Sequence, residues 1–211
     1  MDKVTICNLA LGMLGMPQIV SLEEKNTSGN LCRTFYPVLR DRVLRDHAWS
    51  FATASNELQL LAEKSIDPDF PYVCALPGDV IRVLDLVGGA PYRKLGRRIL
   101  VAALPATVVY TARIEDTSLY DETFCEALQY LLAAELAMSN TRDAQFASIY
   151  RQEYRDRLAT ARSIDSQENR AAMQNAPRRS NWLGARVRGD CERGFAGPVT
   201  WTEGNAGKQG E

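Results

Sequence analysis

The chain has 211 residues, with 25 Lys and Arg against 26 Asp and Glu, a formal net charge of −1, 45% hydrophobic residues and a single His. This length fits one domain of ordinary size, alone or with an extension, and the apolar fraction can build a core, which excludes global disorder. The charge balance argues against a surface coated with basic residues for nucleic acid, and one His excludes His-rich metal sites.

The first predicted helix covers about residues 2–14. Val4, Cys7, Leu11 and Leu14 form its apolar stripe, and Gly15 with Pro17 ends it. This segment is too interrupted for a secretory signal: Asp2 cancels Lys3, Asn8 breaks the apolar run, and no small-x-small cleavage site follows. A polar loop over 21–29 leads to a second helix that Thr27 or Ser28 can cap. Leu31, Phe35, Leu39, Val43 and Leu44 mark its buried face, and Asp41 stands four residues before Arg45, a favourable order for an ion pair. Pro37 removes one backbone donor and predicts a kink or a break. The helix closes at His47-Ala48-Trp49-Ser50-Phe51-Ala52, where His47, Trp49 and Phe51 read as a structural anchor.

The period changes between about 70 and 114. Residues 72–76 end at the turn signature Pro77-Gly78-Asp79, and 80–87 is rich in β-branched residues. Gly88-Gly89 turns the chain, Gly96 centres a hairpin between 92–95 and 98–101, and 108–112 is a last strand. The expected product is one small antiparallel sheet of about four strands. A third helix follows Asp116, capped by Thr117 or Ser118, with the stripe Phe124, Leu128, Leu131, Leu132 and Leu136 and an apolar character on more than one face, so it reads as central. Ser139-Asn140-Thr141 breaks it. A fourth helix starts near Arg142 or Asp143, carries Tyr150, Tyr154, Leu158 and Ala161, and extends to about Asn169 or beyond. No apolar run is long enough to span a bilayer, since 99–112 is short and contains Pro105. These features read as a soluble, unexported protein without a membrane partner.

After Glu168 the composition turns to Gly, Asn and Arg. Residues 170–211 carry a net charge of +3 and residues 1–169 a net charge of −4. The tail has too few aliphatics for a core of its own. Its basic and aromatic residues, Arg178, Arg179, Trp182, Leu183, Arg186, Arg188, Phe195 and Trp201, read as an arm that orders against a partner: an acidic protein surface, with nucleic acid as the alternative.

Little points to chemistry. Cys7, Cys32, Cys74, Cys125 and Cys191 contain no CxxC pair, so free thiols in a reducing compartment are expected and a zinc knuckle is not. His47 sits far in sequence from any Ser or Cys in a glycine elbow. The carboxylates Asp67, Asp69 and Asp79, and Glu115, Asp116, Asp121 and Glu122, fall in loops, turns and a helix start, where acidic residues have structural uses. No phosphate-loop, GxSxG or HExxH motif is present.

Several segments in order resemble one family. Cys7-Asn8-Leu9-Ala10-Leu11, Leu14-Gly15, Ile19 and Ser21-Leu22-Glu23-Glu24 are similar to the first helix and loop of the tail tubular protein A family of short-tailed bacteriophages. Cys32-Arg33, Phe35-Tyr36, Arg40-Asp41, Leu44-Arg45 and His47-Ala48-Trp49-Ser50-Phe51-Ala52 resemble its second helix, with Ala48 where the family's "H-P-W-x-F-A" ending has Pro. Tyr72, Leu76-Pro77-Gly78-Asp79 and Arg82-Val83-Leu84 resemble its "Y-x-L-P-x-D-x-x-R-V" strands. Phe124-Cys125-Glu126-Ala127-Leu128 with 132–137, and Tyr154 with Leu158-Ala159 and Ala161-Arg162, are similar to its third and fourth helices. The likeness covers about residues 4–168.

The resemblance implies a head-to-tail adaptor of the virion. Copies would form a ring, usually dodecameric, between the portal protein and the tail nozzle protein, enclosing the channel through which genomic DNA leaves. It implies no catalysis and no cofactor. The resulting expectation is an α+β, mainly helical fold: a four-helix core in residues 1–169, a small antiparallel sheet inserted at about 70–114 between the second and third helices, and an extended arm over 170–211. The alternative reading is a nucleic-acid-binding module acting through the basic tail. A hydrolase around His47 is a third.

Overall fold

Helix-forming segments near the two ends of the described chain and strand-forming segments between them collect into two separate hydrophobic cores. A computed structural model describes the backbone of residues 1–141 and 144–175. Helix α1 is Lys3–Met13. Asp2 caps it by accepting a hydrogen bond from the Thr5 amide at 2.7 Å, and this bond holds the Asp2 carboxyl below its ordinary range. The chain leaves through Gly15 at φ 64°, a conformation that favours glycine.

Helix α2 is Thr27–Asp46, and its cap is Asn26 rather than Thr27 or Ser28: the Asn26 side chain accepts from the Gly29 amide at 2.6 Å. A Cβ on Gly29 would lie 2.6 Å from the Glu24 carbonyl oxygen, so the loop can close only on glycine. The helix is continuous through Pro37, which removes the bond to the Arg33 carbonyl without ending it. The expected Asp41–Arg45 pair does not form. Asp41 instead accepts from Arg40 at 2.8 Å and from Arg113 at 2.9 Å. Arg40 is only 6% exposed at its side chain; burial would lower its pKa, but the bond to Asp41 and the nearby negative charge of Asp41 raise it.

Helix α3 is Glu122–Leu136, preceded by a short 3₁₀ turn at Thr117–Leu119. Asp116 caps that turn through the Ser118 amide, and Asp121 occupies the position before α3. The last turn of α3 passes into a π-helical segment, Ala137–Thr141. Helix α4 is Ala144–Asn175. Helices α1, α2, α3 and α4 all contribute to the first core, with Ile6, Leu11, Leu44, Phe124, Leu128 and Leu132 fully enclosed. Residues on most sides of α3 are buried, as its apolar composition requires.

The expectation of a mainly helical fold with one small sheet is overturned. The chain is α+β with a sheet-rich second core: among the described residues seven strands form two antiparallel sheets. The strands are β1 Thr53–Glu57, β2 Gln59–Lys64, β3 Tyr72–Ala75, β4 Val80–Leu86, β5 Tyr92–Leu95, β6 Arg98–Val101 and β7 Thr107–Ala112. One sheet has the order β1-β7-β4 and the other β2-β3-β6-β5. The strand region therefore begins at Thr53, not near 70. Buried Leu58 lies between β1 and β2, where the chain passes from one sheet to the other.

Alternation builds the second core. Cys74, Ile99, Val101, Val108, Tyr110 and Ala112 occupy alternate positions of β3, β6 and β7 and face inward. The turns use the glycines at the signalled places: Gly88 and Gly89 at φ 89° and 67°, and Gly96 at φ 59° in the β5–β6 hairpin. Cys7, Cys32, Cys74 and Cys125 are free and buried; Cys191 lies outside the described residues.

Candidate functional site

The structure places the predicted anchor where α2, α3 and α4 meet. Trp49 is 1% exposed, and its indole N–H donates to the Val43 carbonyl at 2.9 Å. Its ring meets Phe124 edge-on at 5.2 Å and His47 edge-on at 4.9 Å. Phe51 packs against the same Phe124 ring at 5.2 Å and against Tyr120 at 5.8 Å. Edge-to-face aromatic packing of this kind adds roughly 0.5–1.5 kcal/mol per pair beyond burial. The cluster fixes the exit from α2, and with it the start of β1.

A polar seam then holds α4. His47 pairs with Asp165, 118 positions away. The Tyr154 hydroxyl donates to the Asp46 carboxylate at 2.6 Å, and Arg162 donates to the Asp46 carbonyl at 2.8 Å. Farther along, Tyr150 donates to the Met13 carbonyl at 2.7 Å and Arg151 reaches Glu135 at 3.2 Å. Burial and the accepting Asp46 carboxylate push the Tyr154 pKa well above the usual range, so its hydroxyl stays a donor. Among the described residues the contacts of His47 are the Trp49 indole, the Asp165 carboxylate and the end of α2.

Among the exposed apolar side chains of the described residues, two groups lie beside concavities. On α4, Phe146 is 53% and Ile149 56% exposed, beside a shallow concavity formed by Ser148, Ile149, Arg151, Gln152 and Arg155. On the outer face of the second sheet a groove of about 680 Å³ has Val73, Leu95 and Leu100 as its apolar lining. The β2–β3 loop forms one wall, with Ile66 fully exposed. Charged pairs edge this groove: Arg98 with Glu63 at 2.5 Å and Arg93 with Asp67 at 2.6 Å. Arg93 also lies over the Phe70 ring at 5.7 Å, which holds the loop against the sheet.

The groove is not legible in the sequence, because 59–64 is rich in helix formers and lacks strand alternation. Its only sequence signal is the isolated apolar Ile66 between Ser65 and Asp67. The predicted docking residues Arg178, Arg179, Trp182, Leu183, Arg186, Arg188, Phe195 and Trp201 lie outside the described residues. The carboxylates singled out in sequence do not converge on a metal: among the described residues no group of three His, Cys, Asp or Glu side chains is placed to hold one. Asp116 and Asp67 serve as turn acceptors for the Ser118 and Asp69 amides. Among the described residues no helix is long and apolar enough to cross a membrane.

No protein-family model matches this chain, and no curated protein matches it.

Proposed function

We propose that the chain is a structural subunit of a ring-shaped head-to-tail adaptor of a short-tailed bacteriophage, joining a portal protein to a tail nozzle protein around the DNA exit channel. The observation that carries this reading is the pair of unlike apolar surfaces on one subunit, the α4 face at Phe146 and Ile149 and the sheet groove at Ile66 and Leu95. A closed ring is built from heterologous contacts, in which one face of each copy meets a different face of the next. Exposed apolar patches edged by charge are the usual raw material of such contacts. The ordered motifs over 4–168 support the same reading, and the basic arm over 170–211 supplies a segment suited to the portal, where repeated weak contacts sum in a ring.

Electron microscopy of the full chain, mixed with a portal protein of a short-tailed bacteriophage, tests the proposal. Rings on portal complexes are the expected result. Phe146→Asp and Ile66→Ser should each reduce assembly while leaving the circular dichroism of the subunit unchanged. A full chain that stays monomeric with portal present overturns the reading. The nucleic-acid alternative rests on the arm's charge and predicts steeply salt-dependent DNA binding that is lost on truncation after Asn169.

A further inference from the structure

A separate concavity of about 480 Å³ lies where α2 meets the strand region. Four arginines line it: Arg42 and Arg45 from the last turns of α2, Arg97 from the β5–β6 turn, and Arg113 just beyond β7. One carboxylate, Asp41, shares the wall, so the lining carries an excess of three positive charges. This is a local inversion, because residues 1–169 as a whole have a net charge of −4.

The internal partners leave that excess in place. Both Asp41 oxygens are already engaged, Oδ1 by Arg40 at 2.8 Å and Oδ2 by Arg113 at 2.9 Å. Arg97 donates to the neutral carbonyls of Pro77 at 3.3 Å and Gly78 at 2.9 Å, which aim its fork without cancelling its charge. Arg42 forms a long ion pair with Glu135 at 4.0 Å, to an oxygen that Arg151 holds at 3.2 Å. The Arg45 guanidinium has no acceptor among the described residues. Like charges gathered around one concavity repel each other, and a bound anion relieves that repulsion.

We propose that this arginine cavity binds a phosphate-bearing anion. A carboxylate offers two oxygens and one charge, and Asp41 already shares its two between Arg40 and Arg113. A phosphate presents more acceptor oxygens and more charge, and so can engage Arg42, Arg45 and Arg97 together. The volume lies within the range of small-ligand sites. The inference goes beyond the adaptor reading and does not depend on it.

Titration calorimetry of the full chain with pyrophosphate is the test. Saturable binding is expected, weakened roughly tenfold or more by Arg45→Gln and by Arg97→Gln. Arg45→Lys keeps the charge and loses the planar fork, so it should also weaken binding. Arg93→Gln, on the sheet groove, should bind as the parent does, and so should a variant with Arg178→Gln and Arg179→Gln in the arm. Circular dichroism identifies any variant that fails to fold. Competition with a thymidine oligonucleotide separates the sources: displacement of pyrophosphate assigns the site to a phosphodiester backbone, and none assigns it to a free polyphosphate. Absence of saturable pyrophosphate binding overturns the proposal. So does equal loss in Arg93→Gln, or binding of a glutamate-rich peptide in place of pyrophosphate.

Discussion

The two cores differ in how the chain supplies them. The helical core draws on residues from Ile6 to Ala161, so all four helices, together with Ile81 of β4, must come together before it closes. The strand core is supplied by one continuous stretch, Leu58 to Ala112, and its sheets are joined by short connections. The helical core also holds the large aromatic cluster, whereas the strand region turns much of its apolar surface outward at Leu60, Ile66 and Leu95. The contrast predicts a division of labour to be tested: loss of packing in the helical body should unfold the whole subunit, and loss in the strand region should act more locally.

The largest effect that could break this division comes from the body. Trp49→Ala removes a side chain that is 1% exposed, its bond to the Val43 carbonyl and its edge contact with Phe124. A loss of about 3–5 kcal/mol is expected, read by chemical denaturation of the full chain. A loss below about 1 kcal/mol would mean that the aromatic joint is dispensable and that the body does not control folding.

The counterpart in the strand region is Ile99→Ala. Ile99 is fully buried and pairs in register with Cys74 and Lys94 on the two neighbouring strands. The expected cost is about 2–4 kcal/mol. Hydrogen exchange sharpens the comparison further: amides in β3, β6 and β7 should exchange faster, while those of α1 and α3 keep their protection. Equal acceleration in α1 and α3 would show that the two cores open as one unit.

A pH titration reaches the body without removing any atoms. Burial raises the pKa of Tyr36, of Tyr120 and of Tyr154, the last also through Asp46. An unfolded tyrosine ionises near pH ~10, while these folded ones keep their protons to higher pH. Above that point the unfolded chain holds fewer protons than the folded one, so stability falls as pH rises. The contribution is fully present below about pH 10 and disappears above it. Tyr154→Phe should flatten the alkaline limb of a thermal-melt series. An unchanged limb would show that Tyr154 does not contribute to it.

The difference between the regions also explains what could be read in advance. The helices were legible because Leu11, Leu44, Leu128 and Leu158 fall on stripes of helical period and all enter one core. Strands β3 to β7 were legible from β-branched runs and from glycines at positive φ. Strands β1 and β2 were not. Their sequence, Thr-Ala-Ser-Asn-Glu and Gln-Leu-Leu-Ala-Glu-Lys, is polar and rich in helix formers. Both are edge strands with mainly exposed side chains, so their pairing with β7 and β3 comes from backbone bonds that leave little trace in side-chain pattern. The arginine cavity was hidden for a related reason. Arg42 and Arg45 are visible on a helix face, but Arg97 and Arg113 join them only once the chain has folded.

The smallest stability effect separates folding from assembly most sharply. Ile66 is fully exposed, so replacing it with Ser removes no buried area and leaves no cavity. Its loop remains fastened by Arg93, which pairs with Asp67 and covers Phe70. Thermal or chemical unfolding of Ile66→Ser should therefore lie within about 0.5 kcal/mol of the parent chain. In the adaptor reading the same change should reduce ring formation, because it removes an apolar contact from one of two unlike faces and leaves the other face intact. A variant that assembles normally would remove the groove from the interface. A variant that loses more than about 1 kcal/mol would show that the β2–β3 loop contributes to the fold, and the strand region would then be a second folding core with no surface to spare for partners.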